Sequence, residues 1–265
     1  MPEKNMPVIV IDEGHGGNDS GAVYRGRKEK DDNMKLGAAV GKMLDAKYVC
    51  NVKYTRTTDV YEKPSKKAQD AINHKADLLV SIHRNKYNEK AKGFEALVYK
   101  LSGTAYSLAK KICVKMKEEG FTNRGVKKRT DLTVIKMPEE KNIPVVLLEM
   151  GFIDNKEDNE IFDSKFDHIV KDIVGCIADE MKLKKKSMGP AKTVFENGTY
   201  NKKVKTTTNL NVRAGRGKDY KILGTLSKGT VVTALYILTK NGVPWASIDY
   251  GKTVGYICLD YVEPV

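Results

Sequence analysis

The chain has 265 residues, enough for one large domain or for a medium domain with a small companion. An apolar fraction of 40% excludes a disordered chain, and Cys50, Cys113, Cys176 and Cys258 stand too far apart to form a CxxC thiolate metal site. A formal charge of +13 and a pI near 9.3 predict attraction to polyanions, but no nucleic-acid motif accompanies the charge, so an anionic polymer or a membrane surface fits as well.

The chain opens on MPEKNMPVIVIDEG, which has no apolar h-region ahead of the first strand, and no later segment approaches membrane-spanning length. Val8–Ile11, Leu78–Ile82 and Val145–Leu148 are too short for ordinary helices and are rich in branched aliphatics. They read as strands buried on both faces of a mostly parallel sheet. Between them, Asn33–Lys47 carries Met34, Leu36, Ala39, Val40, Met43 and Leu44 at near-helical spacing. Val52–Thr55 predicts a strand, Ser65–His74 a helix and Phe94–Tyr99 a further strand. Ser102–Glu119 predicts a helix ended by Gly120 as a C-terminal cap, and Phe166–Leu183 a last helix with Ile169, Ile173, Cys176, Ile177 and Met181 on one stripe. Alternation of this kind predicts an α/β domain over residues 1–183, a sheet flanked by helices.

A lysine run, Lys182 and Lys184–Lys186, then leads into a polar stretch without period, and residues 184–203 read as a linker. Short alternating runs follow over residues 204–265, with Asn241-Gly242 and Tyr250-Gly251 as hairpin turns. About sixty residues of this pattern predict a small all-β barrel.

His15, His83 and Glu149 each stand where an apolar run stops, in VIVIDEGHGG, DLLVSIHRN and IPVVLLEMGF. In open α/β sheets the ligand crevice lies at the carboxyl ends of the strands. Imidazoles and carboxylates delivered to that edge suggest a metal site with a spare carboxylate for proton transfer. A catalytic zinc takes about three protein ligands and keeps one position open for water. Gly14, Gly16 and Gly17 around His15 free the backbone for a sharp turn.

DEGHGGNDSGA, KEKDDN, SIHRN, NRGVKKRTDLTVI and LLEMGFIDNKEDNE follow one another in the order found in zinc-dependent N-acetylmuramoyl-L-alanine amidases of the type-3 class, which residues 8–181 resemble. The resemblance implies hydrolysis of the amide between the lactyl group of N-acetylmuramic acid and L-alanine of the stem peptide. Carried over by position, His15, Glu29 and His83 become Zn2+ ligands and Glu149 the catalytic carboxylate. Glu29 enters through the resemblance alone, since it lies in the polar stretch RKEKDDN. TTTNLNVRAGRGKDYKILGTLSKGTVV, Trp245 and TVGYICLDYV resemble a bacterial SH3-like domain over residues 205–262, which implies binding to peptidoglycan or other wall polymers. Tyr220, Trp245, Tyr250 and Tyr256 offer stacking faces, though so small a barrel needs most aromatics for its core.

The chain departs from the family where Glu13 replaces a usual proline, which is expected to set a negative charge beside the site. Arg84 after His83 is expected to place a cation near the rim, and Thr133 replaces an aromatic that could line the cleft. Asp12 either orients a ligand histidine or holds the turn, and Asn85 is expected to steady its loop rather than touch substrate. Arg56 is expected in an internal ion pair, Glu95 is a lesser candidate for the site, and His74 and His168 read as structural. Without a secretion signal, the expected protein is made in the bacterial cytoplasm and acts on the wall after release, as an endolysin or autolysin. Another zinc-dependent wall peptidase, or a wall-binding protein without activity, would share much of this pattern.

Overall fold

The computed structural model describes residues 6–186 and 195–265, and the chain divides into two units, residues 1–186 and 187–265. No described helix is long and apolar enough to cross a membrane.

The first unit contains, in chain order, β1 (Val8–Glu13), the small hairpin β2 (Val23–Tyr24) and β3 (Arg27–Lys28), α1 (Glu29–Lys47), β4 (Asn51–Tyr54), α2 (Pro64–Asn73) and β5 (Leu78–Asn85). There follow β6 (Phe94–Val98), α3 (Gly103–Glu118), β7 (Asn123–Lys128), α4 (Thr133–Glu139), β8 (Val145–Phe152), α5 (Lys156–Ser164) and α6 (Phe166–Glu180). Six strands form one sheet in the order β4-β1-β5-β8-β6-β7. All neighbours are parallel except β6 and β8. The exception follows from the connection: residues 86–93 between β5 and β6 are too few for the crossover a parallel return requires.

Alternation along the strands explains the two cores. Ile9, Ile11, Val80, Ile82, Val146 and Leu148 face one way and pack with residues of α1, α3 and α6. Val10, Leu79, Leu97, Val145 and Leu147 face the other and pack with α2 and α4. The sheet is therefore buried on both faces, as its continuous apolar runs require. The four cysteines are buried, as expected of packed thiols.

Helix α1 starts one turn earlier than its apolar spacing predicts. Glu29, Asp31 and Asp32 occupy its first turn, where carboxylates favour the positive end of the helix dipole. Leu36, Val40 and Leu44 form its fully buried stripe. Gly37 and Gly41 let it lie close to the sheet: a Cβ on Gly37 would fall 2.6 Å from Glu13 Cγ, and one on Gly41 2.3 Å from the Tyr54 hydroxyl.

The second unit is all-β, with β9 (Gly198–Thr206), β10 (Leu210–Arg213), β11 (Ile222–Leu226), β12 (Val231–Lys240), β13 (Val243–Tyr250), β14 (Thr253–Cys258) and β15 (Val262–Pro264). Its sheet runs β11-β10-β14-β13-β12-β9-β15 around Val204, Val212, Ala234, Ile237, Ala246, Ile248 and Ile257. Asn241 and Gly242 close the β12–β13 hairpin with φ of 51° and 75°, the left-handed pair of a type I′ turn. The next hairpin turns one residue later than expected, at Gly251-Lys252 between the paired Tyr250 and Thr253.

The stretch expected as a linker is shorter than residues 184–203. Val49 N donates to Lys184 O and Lys186 N to Lys47 O, so the chain is still attached to the end of α1 there. Residues 187–194 lie outside the described residues. Phe195 is buried, and residues 198–203 belong to β9, paired with β12. These residues show no hydrophobic alternation because most of their side chains are exposed and backbone pairing holds them. Trp245 is buried and Tyr250 packs on the core, whereas Tyr220 is exposed.

Candidate metal centre and its proton acceptor

The first strand ends in Gly14-His15-Gly16-Gly17, and the backbone turns there through the left-handed region. His15 has φ 62°, Gly16 137° and Gly17 56°. For a non-glycine residue this conformation costs about 1 kcal/mol or more, and surrounding bonds must impose it. Gly14 N donates to Ile82 O, and Gly16 and Asp19 exchange two backbone bonds at 2.8 and 3.0 Å. Arg56 donates to the carbonyls of Glu13, Gly14, Lys30 and Thr58, and the buried Lys67 donates to Asp12 Oδ1 and to the Glu13 and His15 carbonyls. Arg56 thus clamps backbone where an ion pair was expected.

Helix α1 brings Glu29, its first residue, over this turn. Glu29 Oε1 lies 3.1 Å from His15 Nε2 and 3.0 Å from His83 Nδ1. Asp19 Oδ2 sits 2.8 Å from His15 Nδ1, so Nδ1–H donates to Asp19 and Nε2 faces the centre. The two rings stand edge to face, 5.1 Å apart. Glu29 Oε2 accepts from Ala22 N, and Oε1 from Arg84 N and Asn33 Nδ2.

Donor atoms of His15, Glu29 and His83 all lie within 4.8 Å of one another. Two glycines keep the centre open. A Cβ on Gly14 would fall 2.3 Å from His83 Cε1, and one on Gly21 would fall 2.5 Å from His15 Cδ2 and 2.6 Å from Glu29 Oε2. Burial opposes charge on all three residues, but mutual bonding prevails. It raises His15 to about 9, raises His83 as well, and holds Glu29 well below the usual carboxylate range. A centre that attracts positive charge this strongly, with two nitrogens and a carboxylate as donors, fits a divalent metal, which would displace the imidazole protons.

Glu149 stands beside His83, in register on the adjacent strand β8. Burial lifts its carboxyl to about 7, and Glu29 and Glu95 add to the rise against His83. Its Oε2 is buried without a hydrogen-bond partner among the described residues. A carboxyl near neutral pH with an unused oxygen is suited to accept and return a proton.

Two expectations are corrected by strand alternation, which sends neighbouring side chains to opposite faces. Arg84 is no cation at the rim: it is 2% exposed, donates to Asp32 at 2.6 Å and Asn159 at 2.7 Å, and lies 4.4 Å over the Phe162 ring. Glu13 sets no charge beside the centre; it points at Gly37 of α1 with both oxygens buried and without a hydrogen-bond partner among the described residues. Burial, with Asp12 nearby, raises it to about 8, which keeps it neutral at pH 7.

The remaining candidates take plain positions. Asp12 accepts from Thr55, Lys67 and Ser81, and so ties β1, β5 and the residues after β4 together rather than bonding a histidine. Asn85 accepts from Lys86 N and donates to Glu95, steadying its loop. Thr133 is exposed at the start of α4. His74 ends α2, and His168 is an exposed residue of α6, 3.6 Å from Glu119. Neither belongs to the centre. Asp19 and Lys67 were missed. Asp19 had a signal in its i+4 spacing from His15, whereas Lys67 is one lysine among many in the sequence.

Residues 9–179 match the N-acetylmuramoyl-L-alanine amidase family, and residues 208–263 match the bacterial SH3 domain. An endolysin of Bacillus phage SPP1 is 36% identical over 193 residues, 69% of each chain. A probable cell wall amidase, LytH of Staphylococcus saprophyticus, is 30% identical over 63% of this chain and 55% of its own, so the chain spans about half of that relative's length. Among solved structures, the catalytic domain of the amidase CwlV from Bacillus (Paenibacillus) polymyxa superposes with a TM-score of 0.61 at 30% identity, covering 68% of this chain and all of that one. With this likeness spread over the whole α/β unit and its strand-end centre, the chain belongs to the N-acetylmuramoyl-L-alanine amidase family of peptidoglycan hydrolases.

Proposed function

We propose that the first unit cleaves the amide between the lactyl group of N-acetylmuramic acid and L-alanine, with His15, Glu29 and His83 holding zinc and Glu149 moving the proton. The observation that carries this reading is the convergence of His15 Nε2 and His83 Nδ1 on Glu29 Oε1, beside a buried Glu149 with an unused oxygen. Zinc, when bound, supplies Lewis acidity that polarises the amide carbonyl and brings the pKa of its water to about 7.

The side chains do the rest. Asp19 keeps the His15 proton on Nδ1, which commits Nε2 to the centre. Glu149 Oε2 accepts the proton of the attacking water and returns it to the alanine nitrogen as the C–N bond breaks, so the peptide leaves as a neutral amine. Burial favours the protonated form of Glu149, which helps it take the proton.

The second unit is proposed to hold the enzyme to peptidoglycan or to an anionic wall polymer. Residues 195–265 carry ten lysines and arginines against five acidic residues, and tethering raises the local substrate concentration without tight binding in the cleft. The proposed site of action is the bacterial cell wall.

Digestion of purified walls tests the mechanism. New muramoyl ends, with released peptides that begin with alanine, are expected. Glu149→Gln is expected to lower the rate at least a hundredfold, and chelation to abolish activity until zinc is restored. Walls lysed equally fast by Glu149→Gln would refute the role of Glu149, and activity indifferent to chelation would refute the metal.

A further inference from the structure

Next to Glu149 the sheet carries a second charged cluster that hydrolysis does not use. Glu95 on β6 lies directly across the ladder from Glu149 on β8, and directly opposed residues of an antiparallel pair share a face of the sheet. Like charges so placed repel, and β7 supplies the compensation. Arg124 Nε and Lys127 Nζ both donate to Glu95 Oε2, at 2.7 and 2.6 Å, while Asn85 donates to Oε1 at 3.4 Å.

Glu95 is buried, but the Arg124 and Lys127 side chains remain 34% and 45% exposed. The Arg124 guanidinium leans on Phe152, 5.0 Å from the ring centroid, which fixes its plane. One carboxylate oxygen shared by two cations leaves a surplus positive charge. An ammonium has three N–H donors and a guanidinium five, and each group spends one on Glu95.

The spacing relates this cluster to the substrate. His83, Glu149 and Glu95 are in register across the adjacent strands β5, β8 and β6. At about 4.8 Å per strand, Glu95 stands about 10 Å from His83. In an extended peptide consecutive residues are about 3.8 Å apart, so the substituents of the second residue lie roughly 6–8 Å from a first amide held at the metal centre, a distance that the long side chains of Arg124 and Lys127 help to bridge if the peptide runs toward β6.

We propose that Arg124 and Lys127 form a carboxylate subsite for the second residue of the stem peptide, so that the chain prefers D-glutamate with a free α-carboxylate over its carboxamide, D-isoglutamine. The assignment rests on the amidase reading of the neighbouring centre. Arg129 is a poorer candidate, since its guanidinium is spent on both oxygens of Asp131.

The test uses the full zinc-loaded chain and two synthetic muramoyl peptides that differ only as carboxylate or carboxamide at the second residue. The parent chain is expected to favour the carboxylate about tenfold in kcat/KM, mostly through KM, as loss of one charge-assisted bond implies. Lys127→Met and Arg124→Gln are each expected to shrink that ratio several-fold, and Lys127→Glu to invert it. A purely structural role would lower both substrates alike. Equal kcat/KM for the two peptides in the parent chain, or a ratio unchanged in all three variants, overturns the subsite. Should the parent chain cleave neither peptide at the lactyl–alanine bond, the amidase reading fails instead. Calorimetric affinities of the Glu149→Gln chain for the same peptides then decide the subsite, which stands if the carboxylate binds tighter and falls if it does not.

Discussion

Glu13 is a buried carboxyl with no hydrogen-bond partner among the described residues, and replacing it by glutamine is expected to stabilise the first unit in a pH-dependent way. Neither oxygen of Glu13 has a hydrogen-bond partner among the described residues, and the residue is 1% exposed. Burial, then Asp12, raises its folded pKa to about 8, against 4.5 for an ordinary glutamate. The folded state therefore holds a proton that the unfolded chain releases above pH 4.5. Stability from this group is complete below about pH 4.5, declines as pH rises and levels off above about pH 8. Each pH unit is worth about 1.4 kcal/mol, so at pH 7, two and a half units above the unfolded value, the penalty is about 3 kcal/mol. Glutamine keeps the shape and cannot ionise, so Glu13→Gln should gain about 3 kcal/mol at pH 7 and less than about 1 kcal/mol near pH 4.5.

Urea unfolding of the chelated chain at both pH values checks this. All α-helices among the described residues lie in the first unit, so far-ultraviolet circular dichroism follows it. Trp245, the single tryptophan, reports on the second unit by fluorescence and serves as a control. At roughly 2–4 °C per kcal/mol, the melting midpoint of the first unit should rise by about 6–12 °C at pH 7. A gain equal at both pH values, or a loss at pH 7, would refute the reasoning.

Three other outcomes are expected. Asp19→Ala removes the acceptor that holds His15 Nδ1–H, and zinc affinity should fall roughly 10–100-fold by competition with a chromophoric chelator. Unchanged affinity would mean that the turn alone orients the ring. Gly21→Ala drives a Cβ to 2.5 Å from the His15 ring at a backbone φ of +61°, so metal binding should weaken at least tenfold while helical dichroism is retained. Arg84→Met breaks a buried ion pair, but Arg27 also donates to Asp32 at 2.7 Å. The loss should therefore be about 2–3 kcal/mol in urea unfolding, below the range of about 3–5 kcal/mol for an ion left unpaired.

His15, His83 and Glu149 were legible because each ends a short branched-aliphatic run, and such runs become buried strands whose carboxyl ends share one edge. Glu29 was not legible from its surroundings, since nothing in RKEKDDN distinguishes one charge from the next. Its position becomes meaningful only when α1 starts at that residue and lies across the ends of β1 and β5. Strand β7 was missed because NRGVKK has no apolar alternation, being an edge strand that pairs with β6 alone among the described residues. Part of β9 was missed for a related reason: its side chains are mostly solvated, and its stability comes from backbone bonds that leave no trace in composition.

By itself the sequence determined the α/β unit, the separate β unit and the strand-end histidines, because hydrophobic period and turn chemistry are local properties. Tertiary structure decided where charge points. Arg84 and Glu13, expected at the cleft, face the helix layer because consecutive residues on a strand take opposite faces. Glu95, Arg124 and Lys127 meet beside Glu149 only because β6 enters the sheet antiparallel to β8 and carries β7 on its far edge. Burial and distance between residues remote in sequence set the ionisation of every group in the centre, and those quantities exist only once the strands are in register.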